Sequence, residues 1–587
     1  MKSVFKIFLA FILAGFSFLF LIFLFFGIVS LFSDGKPKVK EHSILTINFN
    51  SEIVERGIDN SFSSFDFLTQ TNSSVIGIDD LKRALSAAKS DAKIDAILLE
   101  FSGLMAGPST LKDVRRMIEE FKSDCDKPIF SYAEVYTQKS FYLASASDSV
   151  FLQPSGLIEL SGLSANVAYY KDMFGKIGIK PEIIRGSNNR FKSAVEPFIA
   201  DEMSDANRLQ LETLFGDLWV EYKTAIAVGR NIDVEAVQAI SDSFAVQSPS
   251  SALKLGLVDG LRFEDEVKAS LMKITAAKRE DKINFIDYKT YNRSLKNDIN
   301  TSKDRIAVIY AVGDIMSGRG DENTIGSETT TKAIRKARLD KKVKAIVLRV
   351  SSPGGSALAS DVIWREMKLA QEAKPVVVSM GDYAASGGYY ISAPADTIVT
   401  QSNTITGSIG IFMTLFTAQE LIEDKMGIHH DVVKTSQFAD LYSFNRSLNE
   451  NEKRKLQLMV DEGYGRFLSL VAEGRGLDSL YVDSIGQGRV WTGRKAIELG
   501  LADLEGNLDY AIEIAAEMAN LEKFKRVNMP NIETGIEKFM NSLNASSVKE
   551  DILEDELGEY YRYLEALQKM KTWETPQARM EYELIMN

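Results

Sequence analysis

The chain is written twice. Residues 141–163 read "FYLASASDSVFLQPSGLIELSGL", and residues 389–411 read "YYISAPADTIVTQSNTITGSIGI". At a constant offset of 248, Tyr142 meets Tyr390, Asp148 meets Asp396, Gln153 meets Gln401 and Gly162 meets Gly410. Further pairs follow in the same order. "ILTINFNSEI" (44–53) matches "IAVIYAVGDI" (306–315), and "KIDAILLEFSG" (93–103) matches "KVKAIVLRVSS" (342–352). "KIGI" (176–179) matches "KMGI" (425–428), and "ALKLGLVDGL" (252–261) matches "AIELGLADLE" (496–505). A repeat of roughly 220–260 residues is the length of a domain. The fold must therefore be one that can be built twice in tandem.

Within each copy, apolar runs of buried-strand type alternate with amphipathic stretches such as "DDLKRALSAAKS" and "TTKAIRKARLD". That alternation predicts an α/β domain. The polar stretch from about 275 to 304 reads as the junction, and residues after about 525 match nothing in the first copy. The expected organisation is an anchor over 1–40, a first repeat over 41–300, a second over 301–525, and a helical and extended tail over 526–587.

The anchor rests on the run from Ile7 to Ser33, which carries no charge. It exceeds the ~20 apolar residues that span a bilayer and lacks the short apolar core of a cleaved signal peptide. One uncleaved transmembrane helix is expected. Lysines flank both ends, so charge bias says little about orientation. The short N-terminal tail is expected inside, with the body outside.

The net charge of -12 argues against a nucleic-acid partner. One cysteine, Cys125, and three histidines, His42, His429 and His430, cannot furnish a Cys/His metal framework. No metal or cofactor is expected. The pair His429–His430, in "KMGIHHDVV", reads as an apolar strand edge. With so few histidines, a nucleophilic serine would need another kind of base.

Divergence between the copies shows where the chemistry went. The second copy has "KPVVVSMGDYAASGGYYISA" (374–393), read as strand, turn and helix with Ser386 at the helix start. The first copy has Gln138, Lys139 and Ser140 where the second has Ser386, Gly387 and Gly388. A second glycine loop, Pro353-Gly354-Gly355 in "SSPGGSALAS", is also missing from the first copy. Two glycine loops after buried strands suit acyl transfer, because open backbone N–H groups can hold a developing oxyanion. A phosphate-binding loop is disfavoured, since no Gly-Lys-Ser/Thr follows. Conversely, the first copy carries Lys192 in "NNRFKSAVEPFIADEMS", where the second has Leu441.

The motifs "SSPGGS", "SMGDYAASGGYYISAPAD", "TGSIGIF" and "FKSAVEPFIADEMS" resemble the long, duplicated form of bacterial signal peptide peptidase (protease IV). That family comprises serine proteases of the Clp-protease/crotonase superfamily. The resemblance runs from about 43 to 525 and includes the anchor. It implies a tandem duplication of a Clp-protease/crotonase-like α/β domain. It also implies Ser386 as nucleophile, Lys192 as general base, the amides of Gly355 and Gly387 as oxyanion hole, and Ser408 as the hydroxyl that orients the lysine. It further implies a homotetramer on the periplasmic side of the inner membrane, with remnant signal peptides as substrates. Asp382, before the nucleophile, departs from the usual small or apolar residue and is expected to tune cleavage preference.

A lysine is a base only when neutral. Its ordinary pKa of about 10.4 puts the cost of a neutral amine near pH 7 on the order of 4–5 kcal/mol, which burial can supply. Glu196, four residues on, would weaken the assignment if it paired with Lys192 along a helix. Two other readings are a membrane-anchored scaffold that only binds peptides, and a crotonase-like acyl-CoA enzyme. The Ser/Lys pair and the anchor favour the peptidase.

Overall fold

The computed structural model describes residues 36–57, 75–296, 300–321, 323–530 and 576–580, with Ser17 alone before them. Among these, no helix is long and apolar enough to cross a membrane. The expected anchor segment, 7–33, lies outside the described residues apart from Ser17.

Each repeat forms its own sheet, parallel throughout in the first and parallel in the second except for Val490–Thr492, which runs antiparallel to Ile405–Gly407. In the first, the order is Gly260–Leu261, Ser149–Ile158, Ile129–Tyr136, Ile94–Phe101, Ser43–Phe49 and Asn284–Asp287. In the second, it is Val490–Thr492, Ile405–Gly407, Val376–Ala385, Val343–Ser352, Arg305–Val312 and Lys525–Met529. There, Thr397–Thr400 also pairs with Val376–Ala385, and Leu504–Glu505 pairs with Thr397–Thr400. The central strands are apolar because both faces are covered. On Arg305–Val312, Ala307, Ile309 and Ala311 enter one core, while Ile306, Val308 and Tyr310 enter another beneath the helix Leu508–Met518. The first sheet alternates likewise, with Leu45 and Ile47 on one face and Ile44 on the other.

The last strand of each sheet was not foreseen. Asn284–Asp287, inside the expected junction, pairs parallel with Ser43–Phe49. Lys525–Met529, at the expected start of the tail, pairs parallel with Arg305–Val312. Each repeat thus closes on a short edge strand. "NFID" and "KRVNM" share no side-chain pattern, so comparing the copies could not find them. The stretch around His429 and His430 is not a strand edge. It is exposed and irregular, its apolar run broken by two imidazoles and Asp431.

A third, smaller sheet joins the repeats. Lys180–Arg185 of the first copy pairs antiparallel with Phe412–Thr417 of the second, from Arg185 opposite Phe412 to Lys180 opposite Thr417. This pairing carries the segment after Arg185 into the second repeat.

Candidate active site

Ser386 sits where a strand becomes a helix. The strand Val376–Ala385 continues through "GDYA", so no separate turn precedes the serine. The reversal is compressed into Ser386 itself, at φ 53° and ψ −112°. A non-glycine residue there stores about 1–3 kcal/mol of strain. Two hydrogen bonds hold it, Ser386 N to Gly407 O at 2.8 Å and Tyr390 N to Ser386 O at 2.8 Å. The glycines that follow are needed for close packing. A Cβ on Gly387 would stand 2.7 Å from Ser360 Oγ, and one on Gly388 2.7 Å from Ser352 O. Gly387 opens the helix Gly387–Ser392, where N–H groups have no intrahelical acceptor.

Lys192 arrives from the other repeat, seven residues beyond Arg185. Its side chain is fully buried. Nζ lies 3.1 Å from Ser386 Oγ, 2.7 Å from Ser408 Oγ and 3.2 Å from Ser408 O. Glu196 turns elsewhere. Its carboxylate accepts from Ser204 Oγ at 2.6 Å, Ser204 N at 3.3 Å and Asn207 Nδ2 at 3.1 Å. That arrangement ties the lysine segment to the start of the helix Asp205–Arg230.

The glycine loop follows the strand Val343–Ser352. Gly354 lies against the serine turn, and a Cβ there would stand 2.7 Å from Gly387 N. The Gly354 amide donates to Ser352 Oγ at 3.1 Å. Gly355 has other neighbours, pairing with Ile315 on one side and Ala578 on the other. Of the five residues singled out from the sequence, Ser386, Lys192, Ser408 and Gly387 meet at one point. Gly355 stands one residue further along the loop.

The model of peptidase family S49 matches residues 121–278 and 368–522. The chain belongs to peptidase family S49. Protease 4 of Salmonella typhi is 39% identical over 477 residues, covering 80% of this chain and 76% of its own. Protease 4 of Haemophilus influenzae is 34% identical over 513 residues, covering 84% and 82%. A solved structure of a ClpP1 mutant from Listeria monocytogenes aligns at 15% identity over 35% of this chain and 94% of its own, with a TM-score of 0.24. This S49 chain is a serine peptidase, and its substrates are peptides.

Three supports of this candidate site were missed in the sequence. Gly488, at φ 83°, lets the lysine turn close, since a Cβ there would stand 2.6 Å from both Lys192 N and Lys192 Cβ. Asn189 shapes the same turn, its carbonyl accepting from Lys192 N at 3.2 Å and its Nδ2 donating to Ile411 O at 2.9 Å. Arg489 stacks on Phe191 at 4.8 Å and on Trp491 at 4.0 Å, clamping that turn from outside. The glycine-rich "IGQGRVW" (485–491) was the available signal.

Asp382 bridges the strand before the serine to the first repeat. Its carboxylate accepts from Thr110 N at 2.8 Å and Thr110 Oγ1 at 2.7 Å, in the first turn of the helix Pro108–Asp124 of the other repeat. Burial pushes this carboxyl upward. Beside it, Arg349 is buried and meets Glu55 Oε1 at 2.8 Å and Asp113 Oδ2 at 4.0 Å. This buried charge cluster joins the strand before the glycine loop to the first repeat.

Proposed function

We propose that the protein is a membrane-anchored Ser/Lys endopeptidase that degrades remnant signal peptides and other apolar peptides. The observation that carries the mechanism is the 3.1 Å approach of Lys192 Nζ to Ser386 Oγ in a fully buried setting. Burial favours the neutral amine over the ammonium. Lys192 takes the Ser386 proton as Oγ attacks a substrate carbonyl. The Gly387 amide, with a second amide from the Gly354–Gly355 loop, holds the oxyanion. Lys192 passes the proton to the departing amine, and water then releases the acyl group. The Ser408 hydroxyl and carbonyl keep Nζ aimed at Ser386.

The anchor is assigned to 7–33 on its uncharged length, and the catalytic body to the periplasmic side of the inner membrane. Each repeat is taken as a Clp-protease/crotonase-like unit, and the assembly as a homotetramer. These assignments draw on the motif resemblance. The scaffold and acyl-CoA readings fall away with membership of a peptidase family.

The test is hydrolysis of a short apolar peptide amide by the full chain. Ser386→Ala and Lys192→Ala should each abolish turnover while leaving the circular dichroism spectrum and the assembled size unchanged. Retained turnover in the serine variant would sink the scheme.

A further inference from the structure

One aromatic position near the lysine turn differs in kind between the repeats. Tyr464 lies on the helix Glu450–Arg475 of the second repeat, and Trp219 holds the same place on the helix Asp205–Arg230 of the first. The two helices are equal in length, at 26 residues. Each aromatic donates to a side chain 19 residues further on. Tyr464 Oη donates to Asp483 Oδ1 at 2.6 Å, and Trp219 Nε1 donates to Gln238 Oε1 at 2.8 Å. The second repeat thus has a phenol on a carboxylate where the first has an indole on an amide. An indole N–H only donates, whereas a phenol also accepts.

The accepting side of this phenol is in use. Gln487 N donates to Tyr464 Oη at 3.1 Å, and Gln487 O accepts from Phe191 N at 2.8 Å, one residue before Lys192. Gln487 stands at φ 55°, a backbone conformation that persists only where its surroundings enforce it. The next two residues extend the hold. Gly488 N donates to Ile409 O at 2.8 Å, and Arg489 O accepts from Ser408 N at 2.7 Å. Asp483 reaches the lysine turn from its other end, its Oδ2 accepting from Asn188 Nδ2 at 2.5 Å. Asn188, Asp483, Tyr464, Gln487 and Phe191 therefore form one hydrogen-bonded circuit that begins and ends on the turn carrying the amine. Tyr464 is buried within it, and burial, together with the Asp483 carboxylate, raises the phenol pKa and keeps the proton on.

We propose that Tyr464 is a positioning residue for the general base: its hydroxyl, oriented by Asp483, holds Gln487 and through it the turn that aims Lys192 Nζ at Ser386 Oγ. The proposal rests on Lys192 as the base. It goes further by naming the buried group that sets the placement of the amine. It also accounts for the difference between the repeats. The second copy has Leu441 where the first has Lys192, so the first repeat's loop has no amine to hold.

The test is kcat and KM of the full chain for a short apolar peptide amide, measured across pH. Tyr464→Phe keeps the ring and removes only the hydroxyl. It should lower kcat about tenfold, less than the roughly 10²-fold that a full ångström of misplacement costs, and leave KM unchanged. The acid limb of its kcat/KM profile should move to higher pH, because a loosened turn lets water solvate the ammonium. Tyr464→Trp, which installs the first repeat's residue, should show the same two changes and gives a second reading. Asp483→Asn keeps an oxygen to accept from the phenol and should retain most of kcat. Val460→Ala trims the same helix's buried face one turn away, and should lower the melting temperature with kcat and the acid limb unmoved. Parental kcat with an unmoved limb in Tyr464→Phe, or a change in KM alone, overturns the proposal. If Lys192→Ala is inactive in the same assay, that failure is the positioning role's and the base stands. Turnover retained in Lys192→Ala would remove the base, and the proposal with it.

Discussion

Gly488 of the second repeat packs directly on the backbone of Lys192 of the first, leaving no room for a side chain between them. The contact sets how far the amine reaches toward Ser386.

Gly488→Ala therefore has two penalties. Alanine must adopt φ 83°, and its methyl must push Lys192 outward. The backbone strain alone is about 1–3 kcal/mol. Activity should fall by more than the loss of folded protein explains, because the lysine turn has to move. Turnover per folded molecule, set beside a thermal melt, measures the two effects separately.

Ser408→Ala removes the shorter of the two Ser408 contacts to Lys192 Nζ, at 2.7 Å, and leaves the carbonyl contact at 3.2 Å. The amine keeps one guide and loses the other. The expected loss in kcat is about 10²-fold, at the low end of what a positioned base contributes. A loss as complete as that of Ser386→Ala would mean the hydroxyl itself takes part in proton transfer.

Arg349→Met takes away the cation facing Glu55 and Asp113 while filling much of the same volume. Removing one partner of a buried pair typically costs about 3–5 kcal/mol, because the remaining charge is left without compensation. Urea denaturation should show that loss. The double variant Arg349→Met with Glu55→Gln should recover part of it, since the stranded carboxylate is gone.

Asp113 gives the stability a pH dependence of known sign. Burial, opposed chiefly by Arg349, pushes this carboxyl up from 3.8 to about 6. The folded state thus holds the proton more tightly than the unfolded state. The stability linked to this group is fully present below about pH 3.8 and is lost as pH rises through about 6, a change on the order of 3 kcal/mol. Asp113→Asn should flatten the stability curve between pH 4 and 7. A variant curve parallel to that of the parent would show that another group titrates in that window.

The sheets were legible because their central strands are apolar on both faces and recur at a nearly fixed spacing. Ser386 and Lys192 were legible because each survives in one copy only, and the structure sets them 3.1 Å apart. Other parts left weaker marks. Gly488 and Asp382 act across the boundary between repeats, so comparing one copy with the other could not expose them. The edge strands Asn284–Asp287 and Lys525–Met529 are held by backbone pairing, which constrains side chains little. The same holds for Gln577–Arg579, the strand paired with Gly354–Ser356, whose three residues carry no apolar run at all. "SPGG" does not reveal which glycine packs against the serine turn, and in the structure it is Gly354.

The crossing of Lys180–Arg185 onto Phe412–Thr417 has an evolutionary consequence. A tandem gene is prone to recombine with itself and discard one copy. Under the proposed Ser/Lys mechanism either surviving copy would be chemically mute, since one would keep the amine and the other the hydroxyl. On that mechanism the duplication acts as a ratchet, because deletion of either copy alone would leave half of the pair.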